Sequence, residues 1–122
     1  MEKENLIWFK GKIMPHSQAL VNVMSPTEQF GLNVFEGLRG YWDSDKKNLY
    51  IFRFDEHIAR LFESSKLLSI TSPYFKNQVW RFVNDLLSKQ KYKTDVAVRL
   101  TLFVDGSRSW SALDAPDLFI SH

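Results

Sequence analysis

The chain has 122 residues, 44% of them hydrophobic, with 16 Lys and Arg against 14 Asp and Glu for a net charge of +2. That length fits one domain burying about two-thirds of its unfolded surface, and so even a charge balance argues against a nucleic-acid or membrane surface. The absence of cysteine excludes disulfides, thiol catalysis and cysteine metal sites, and suits a reducing compartment. The N-terminal MEKENLIWFKGK lacks the apolar stretch of about 7 to 15 residues that a secretory signal needs, and no run approaches a membrane span. The expectation is a cytoplasmic protein whose partners are small molecules or other proteins.

Leu6 to Phe9 and Ile13 to Met14 flank Lys10, Gly11 and Lys12, which predicts two short strands around a tight turn. Ser25, Pro26, Thr27 and Glu28 form a capping-box pattern with proline at the first helical position, and Gly31 ends the helix almost at once. From Asn33 to Trp42 the residues are β-branched, aromatic and glycine-interrupted. Asp43 to Asn48 is a polar turn before the apolar run Leu49 to Phe52, so two antiparallel strands are expected.

The period changes at Asp55. Ile58, Leu61, Phe62, Ser65 and Leu68 follow the i, i+3, i+4 spacing of a helix with one buried stripe, and His57, Arg60 and Ser64 lie on an adjacent face. A further helix is expected just after Ser72 and Pro73, ending near Lys89, with Phe75, Val79, Phe82, Val83, Leu86 and Leu87 facing inward. After KYKTD, the residues Val96, Val98, Leu100, Leu102 and Val104 take one parity and Ala97, Arg99, Thr101 and Phe103 the other, the period of a strand. DGSRSWSALDAP reads as a loop, and Asp117 to Ser121 starts another apolar run. With no repeat and no linker, the chain reads as a single α+β domain, 1-122: a mainly antiparallel sheet with two helices packed on one face. Trp8, Phe9, Trp42, Trp80 and Trp110 add aromatic weight of the kind used in cores and interfaces.

The residues able to carry chemistry are few. Arg60 stands in the first turns of its helix near His57. Its guanidinium could grip a phosphate through two parallel charged hydrogen bonds, although a solvated arginine snorkelling beside an apolar stripe has the same spacing. Arg39 lies on an apolar strand two positions after Gly37, whose missing side chain would let a ligand approach the backbone; an outward arginine paired with Glu36 or Asp43 is the alternative. Arg99 faces away from the valine and leucine set of its strand, toward a site, a partner or solvent. His16, His57 and His122 have no metal-ligand spacing, and Ser64 and Ser65 have no paired base for nucleophilic catalysis.

The run Val34-Phe35-Glu36-Gly37-Leu38-Arg39, followed by Phe52-Arg53 and then by His57-Ile58-Ala59-Arg60-Leu61, resembles the small N-terminal domain of the branched-chain aminotransferases. These are class IV enzymes dependent on pyridoxal 5'-phosphate (PLP), and the first run resembles them more than it does the D-amino-acid aminotransferases or aminodeoxychorismate lyases. The resemblance implies that Arg60 holds the PLP phosphate and that Phe35 is an apolar wall of the substrate pocket. It also implies that Arg39 is a polar group of that pocket, and that Arg99 helps to read the distal carboxylate of glutamate. Ala97 stands where some members carry a tyrosine and Phe30 where many do, and each departure removes a hydroxyl. The implied reaction passes the amino group of leucine, isoleucine or valine to 2-oxoglutarate, in a homodimer. In similar enzymes the lysine that carries PLP comes from a second domain, and no lysine here matches its motif. The resemblance therefore implies a catalytically inactive N-terminal domain or fragment. A standalone phosphate-binding or dimerisation module of the same fold is the alternative.

Overall fold

The computed structural model describes residues 4–106 and 116–122. Six strands form one sheet in the order β2-β1-β6-β5-β3-β4, every neighbouring pair antiparallel. In chain order they are β1 (Leu6–Phe9), β2 (Lys12–Pro15), β3 (Asn33–Asp43), β4 (Asn48–Phe52), β5 (Val96–Val104) and β6 (Pro116–Ser121). The helices are α1 (Pro26–Phe30), α2 (Phe54–Leu67) and α3 (Lys76–Gln90). The expected fold class is the observed one, and each expected strand and helix is present.

Local chemistry explains the connections. Lys10 and Gly11 both have positive φ, 50° and 98°, the left-handed pair that a two-residue hairpin turn needs, and glycine takes its place at no steric cost. Between β3 and β4, the Asp43 carboxylate accepts from the backbone N–H groups of Asp45 and Lys46 at 3.0 and 3.1 Å, an Asx turn. Residues 107–115 of the expected loop, Trp110 among them, lie outside the described residues.

Alternation along β3 and β5 divides the sheet into two faces. Leu38, Val96, Val98, Leu100 and Leu102 point to the helix side, where they pack with Ile58 and Leu61 of α2 and Val79, Val83 and Leu86 of α3. Each buried side chain of this kind contributes roughly 1.5–3 kcal/mol. Trp8 joins them from β1, stacked on Phe82 at 4.2 Å between centroids and met edge-on by Tyr74 at 5.4 Å. On the other face Phe103 is also fully buried, in contact with the rings of Phe9 and Phe119.

Three local expectations are corrected. Ser25 precedes α1 with extended backbone, but its side chain makes no capping bond and its buried Oγ has no partner among the described residues. The N–H groups of Glu28 and Gln29 donate instead to the Ser25 backbone carbonyl. Phe75 is not on the buried stripe of α3: it is the residue before the helix and is 78% exposed, its backbone N–H donating to the Gln78 side chain at 2.8 Å. Leu68 falls just past the end of α2 and is 40% exposed, because the chain leaves the helix before the stripe returns.

Candidate functional site

Two groups of candidate residues lie on opposite sides of β3. On the helix side, the carboxylate of Glu36 is almost buried, with 7% of its side chain exposed. Its Oε1 accepts hydrogen bonds from Arg60 Nε at 2.7 Å, from Arg60 Nη2, and from His57 Nδ1 at 2.9 Å. The proton of His57 therefore sits on Nδ1, since a carboxylate oxygen can only accept. Position explains the meeting: Glu36 shares its parity with Leu38, under α2, while His57 and Arg60 are three residues apart and rise from one helical face. Burial alone would raise the Glu36 carboxyl, but the hydrogen bonds and charges of Arg60 and His57 outweigh it and hold it below the ordinary value. The Arg60 guanidinium is raised in turn by its bond to Glu36. It stays 66% exposed, and among the described residues its Nη1 has no hydrogen-bond partner.

The opposite face of the sheet carries Phe35, Gly37, Arg39 and Tyr41 of β3, all exposed. Register places Gly37 opposite Arg99 and Arg39 opposite Ala97 on β5, and Arg39 opposite Phe52 on β4. The Arg99 guanidinium lies 4.6 Å from the centre of the Phe35 ring, a cation–π contact. Arg53 lies 5.4 Å from the centre of Phe52, which meets Tyr41 edge-on. Gly37, Arg39, Ala97, Arg99, Ser121 and His122 line a shallow hollow of about 340 Å³. Neither Arg39 nor Arg99 has a carboxylate partner among the described residues, so this face presents positive charge over an aromatic floor. A Cβ added at Gly37 would meet nothing within 4 Å.

The structure thus groups Phe35, Arg39 and Arg99 on one face and sets Arg60 apart from them, against Glu36. Phe30, at the end of α1, is 58% exposed. Sequence reasoning offered Glu36 only as a partner for Arg39. The alternation of β3 separates those two, because residues three apart on a strand point to opposite faces. Tyr41 and Phe52 were also missed as parts of the arginine-bearing face; the parity they share with Arg39 across the β3–β4 hairpin was the signal available. No group of three or more metal-ligating side chains occurs among the described residues, and no helix of the structure is long and apolar enough to cross a membrane.

Comparison with known proteins follows the same lines. The amino-transferase class IV family profile matches residues 33–122, a span that starts with β3 and includes both arginine groups. The branched-chain-amino-acid aminotransferase of Escherichia coli (strain K12) is 33% identical over 103 residues, 84% of this chain and 32% of that protein. The crystal structure of branched-chain aminotransferase from Thermoproteus uzoniensis with norvaline superposes with a TM-score of 0.85 at 26% identity, covering 97% of this chain and 39% of the other. That of the Thermobaculum terrenum branched-chain amino acid aminotransferase in its PLP form gives 0.78 at 26% identity, covering 99% and 40%. The chain spans about a third of the length of the curated relatives it matches. The matched profile, the relatives and the shared fold together show that this chain belongs to the class IV aminotransferases.

Proposed function

We propose that the chain is the N-terminal domain of a PLP-dependent aminotransferase that moves the amino group of leucine, isoleucine or valine to 2-oxoglutarate. The rest of that protein supplies the lysine that carries the cofactor, and the 122 residues alone are inactive. The observation that carries this reading is the Arg60 guanidinium: it is charged at every working pH, largely exposed, and fixed on one edge by Glu36, with Nη1 left over. A phosphate monoester fits that remaining edge, since guanidinium N–H groups pair with phosphate oxygens at matched spacing.

When bound, PLP supplies the electron sink on which the substrate's Cα–H and C–N bonds are remade. The chain's own residues bind and orient. Arg60 neutralises and directs the phosphate. Phe35 offers an apolar wall to an aliphatic side chain, and Phe30 offers a second. Arg39 and Arg99 attract the carboxylates of amino and oxo acids, and Gly37 leaves room for a ligand to cross the strand. Arg99 rests on the Phe35 ring, so it can meet a distal carboxylate without first breaking a salt bridge. A homodimer is part of the proposal, supported by the exposed Tyr50, Phe52 and Phe30 side chains, which favour a covering partner. A cytoplasmic location accords with the absence of cysteine.

The test is a titration of the chain with PLP, followed by absorbance and competed with inorganic phosphate. Weak binding that phosphate displaces, lost in Arg60→Ala, is the expected result. Binding unchanged in Arg60→Ala refutes the assignment. A stable covalent adduct, fixed by borohydride on one lysine of this chain, refutes the claim that the lysine lies elsewhere.

A further inference from the structure

We propose that Glu36 is a positioning residue for the phosphate grip of Arg60, with His57 as the brace that holds Glu36 in place. The inference rests on the functional reading above and goes beyond it, by asking what fixes the direction of the gripping arginine.

An arginine that reaches solvent from a helix carries about 2 kcal/mol of rotamer entropy, and most of its rotamers point away from any one ligand. Glu36 removes that freedom. Its backbone is held in the sheet opposite Leu100, and its side chain is nearly buried beneath α2. The single oxygen Oε1 takes both Nε and Nη2 of Arg60. This two-point contact fixes the plane of the guanidinium as well as its place. His57 donates to the same oxygen from one turn earlier in α2, so the carboxylate cannot swing away without losing two partners. Each of the three side chains is held by another, and among the described residues the edge left to a ligand is the one bearing Nη1.

The rival account gives Glu36 the opposite role. A carboxylate beside an arginine cancels its charge and repels an incoming dianion, so that removing it should tighten phosphate binding. Geometry decides against this. Oε1 sits on the Nε/Nη2 edge, with the guanidinium between it and a ligand on the Nη1 edge. Because Arg60 is largely exposed, water and salt screen the repulsion across it. The ordering of the fork is not screened.

The experiment is an NMR titration of the 122-residue chain with pyridoxine 5'-phosphate, whose alcohol cannot form lysine adducts, and with inorganic phosphate. The variants are Glu36→Gln, Arg60→Lys and the double variant, each first checked for an intact amide spectrum. Glu36→Gln keeps an oxygen acceptor but loses the charge that strengthens the two bonds from Arg60, and should weaken phosphate binding by about fivefold as the fork loosens. It should also collapse the resolved Arg60 Nε–H signal into the solvent-averaged group. In the Arg60→Lys background, where a point charge has no plane to fix, the same change should leave affinity within twofold or tighten it. A purely structural Glu36 would shift both backgrounds alike. Unchanged or tighter binding in Glu36→Gln, with Arg60→Lys still weak, overturns the positioning role and leaves the phosphate grip standing. Absence of any phosphate-dependent shift in the unmodified chain overturns the grip and the positioning role together. If Glu36→Gln unfolds, His57→Ala provides the second route: loss of the brace should broaden the Arg60 Nε–H signal and weaken phosphate binding about twofold, and an unaltered signal and affinity overturn the proposal.

Discussion

Replacing Gly37 by alanine should make the protein more stable and the enzyme worse. The residue sits in the middle of β3 without a positive φ, and a Cβ built on it meets nothing within 4 Å. Alanine therefore introduces no clash and no forbidden backbone, while glycine carries the larger entropic cost of ordering. At such a site the exchange stabilises by about 0.4–1 kcal/mol, acting through the unfolded chain. With a urea m-value of about 1–3 kcal/mol/M for a domain of this size, the unfolding midpoint should rise by roughly 0.1–1 M at constant m. Circular dichroism in urea measures it directly. On the function proposed above, the added methyl would lie in the path of a substrate between Arg39 and Arg99 in the complete enzyme, where displacing a reacting group by about 1 Å costs on the order of a hundredfold. The value of kcat/KM for leucine should fall by about tenfold or more. A destabilised variant would show that the Cβ is not in open space. A stabilised variant with unchanged kcat/KM would show that no ligand passes over Gly37, and the reading of this face as a substrate site would fail.

Truncating Leu61 to alanine removes a fully buried α2 side chain from the core and should cost about 2–5 kcal/mol in urea unfolding, a large part of a typical total of roughly 5–15 kcal/mol. A loss under about 1 kcal/mol would mean that α2 is not docked as described. For acidification, His122 gives the signal. Burial lowers its pKa, opposed by the bond of its Nε2–H to the Leu6 carbonyl, while the Tyr92 hydroxyl donates to its Nδ1. With the folded value below the unfolded 6.5, the unfolded chain binds the proton more readily. The stability is complete above pH 6.5 and declines as pH falls through the folded value. Melting temperature should drop between pH 7.5 and 5, and His122→Gln should flatten that slope; an equal slope in the variant would refute it.

Much of the architecture could be read from local pattern. The two parities of Val96 to Val104 and the spacing of Ile58, Leu61 and Ser65 each report a periodicity that the backbone imposes on itself, so sequence alone revealed them. Phe75 broke the pattern because a residue before a helix does not have the helical direction, and its apolar character was mistaken for a place on the stripe. Ser25 looked like a cap because the capping-box residues were present, yet its hydroxyl makes no capping bond and its backbone carbonyl takes the N–H groups of Glu28 and Gln29. The candidate site was half legible. Arg60 and Arg39 stand in recognisable runs, but which carboxylate answers which arginine is decided by a contact 24 residues apart in sequence, and no local spacing encodes that.

The alternation along β3 has a consequence for how such a protein can change. Glu36 and Leu38 answer to α2, whereas Phe35, Gly37 and Arg39 answer to whatever lies beyond the open face. Neighbouring residues therefore meet different physical demands. Substitutions at the odd positions of β3 and their cross-strand partners Ala97 and Arg99 would, on the proposed function, alter which molecules are accepted while leaving the core untouched. A one-residue slip of the strand, by contrast, would bury Arg39 and expose Leu38, and would be lethal to fold and site alike. Ligand preference in this scaffold can drift by single steps, and the pairing register of the strand cannot.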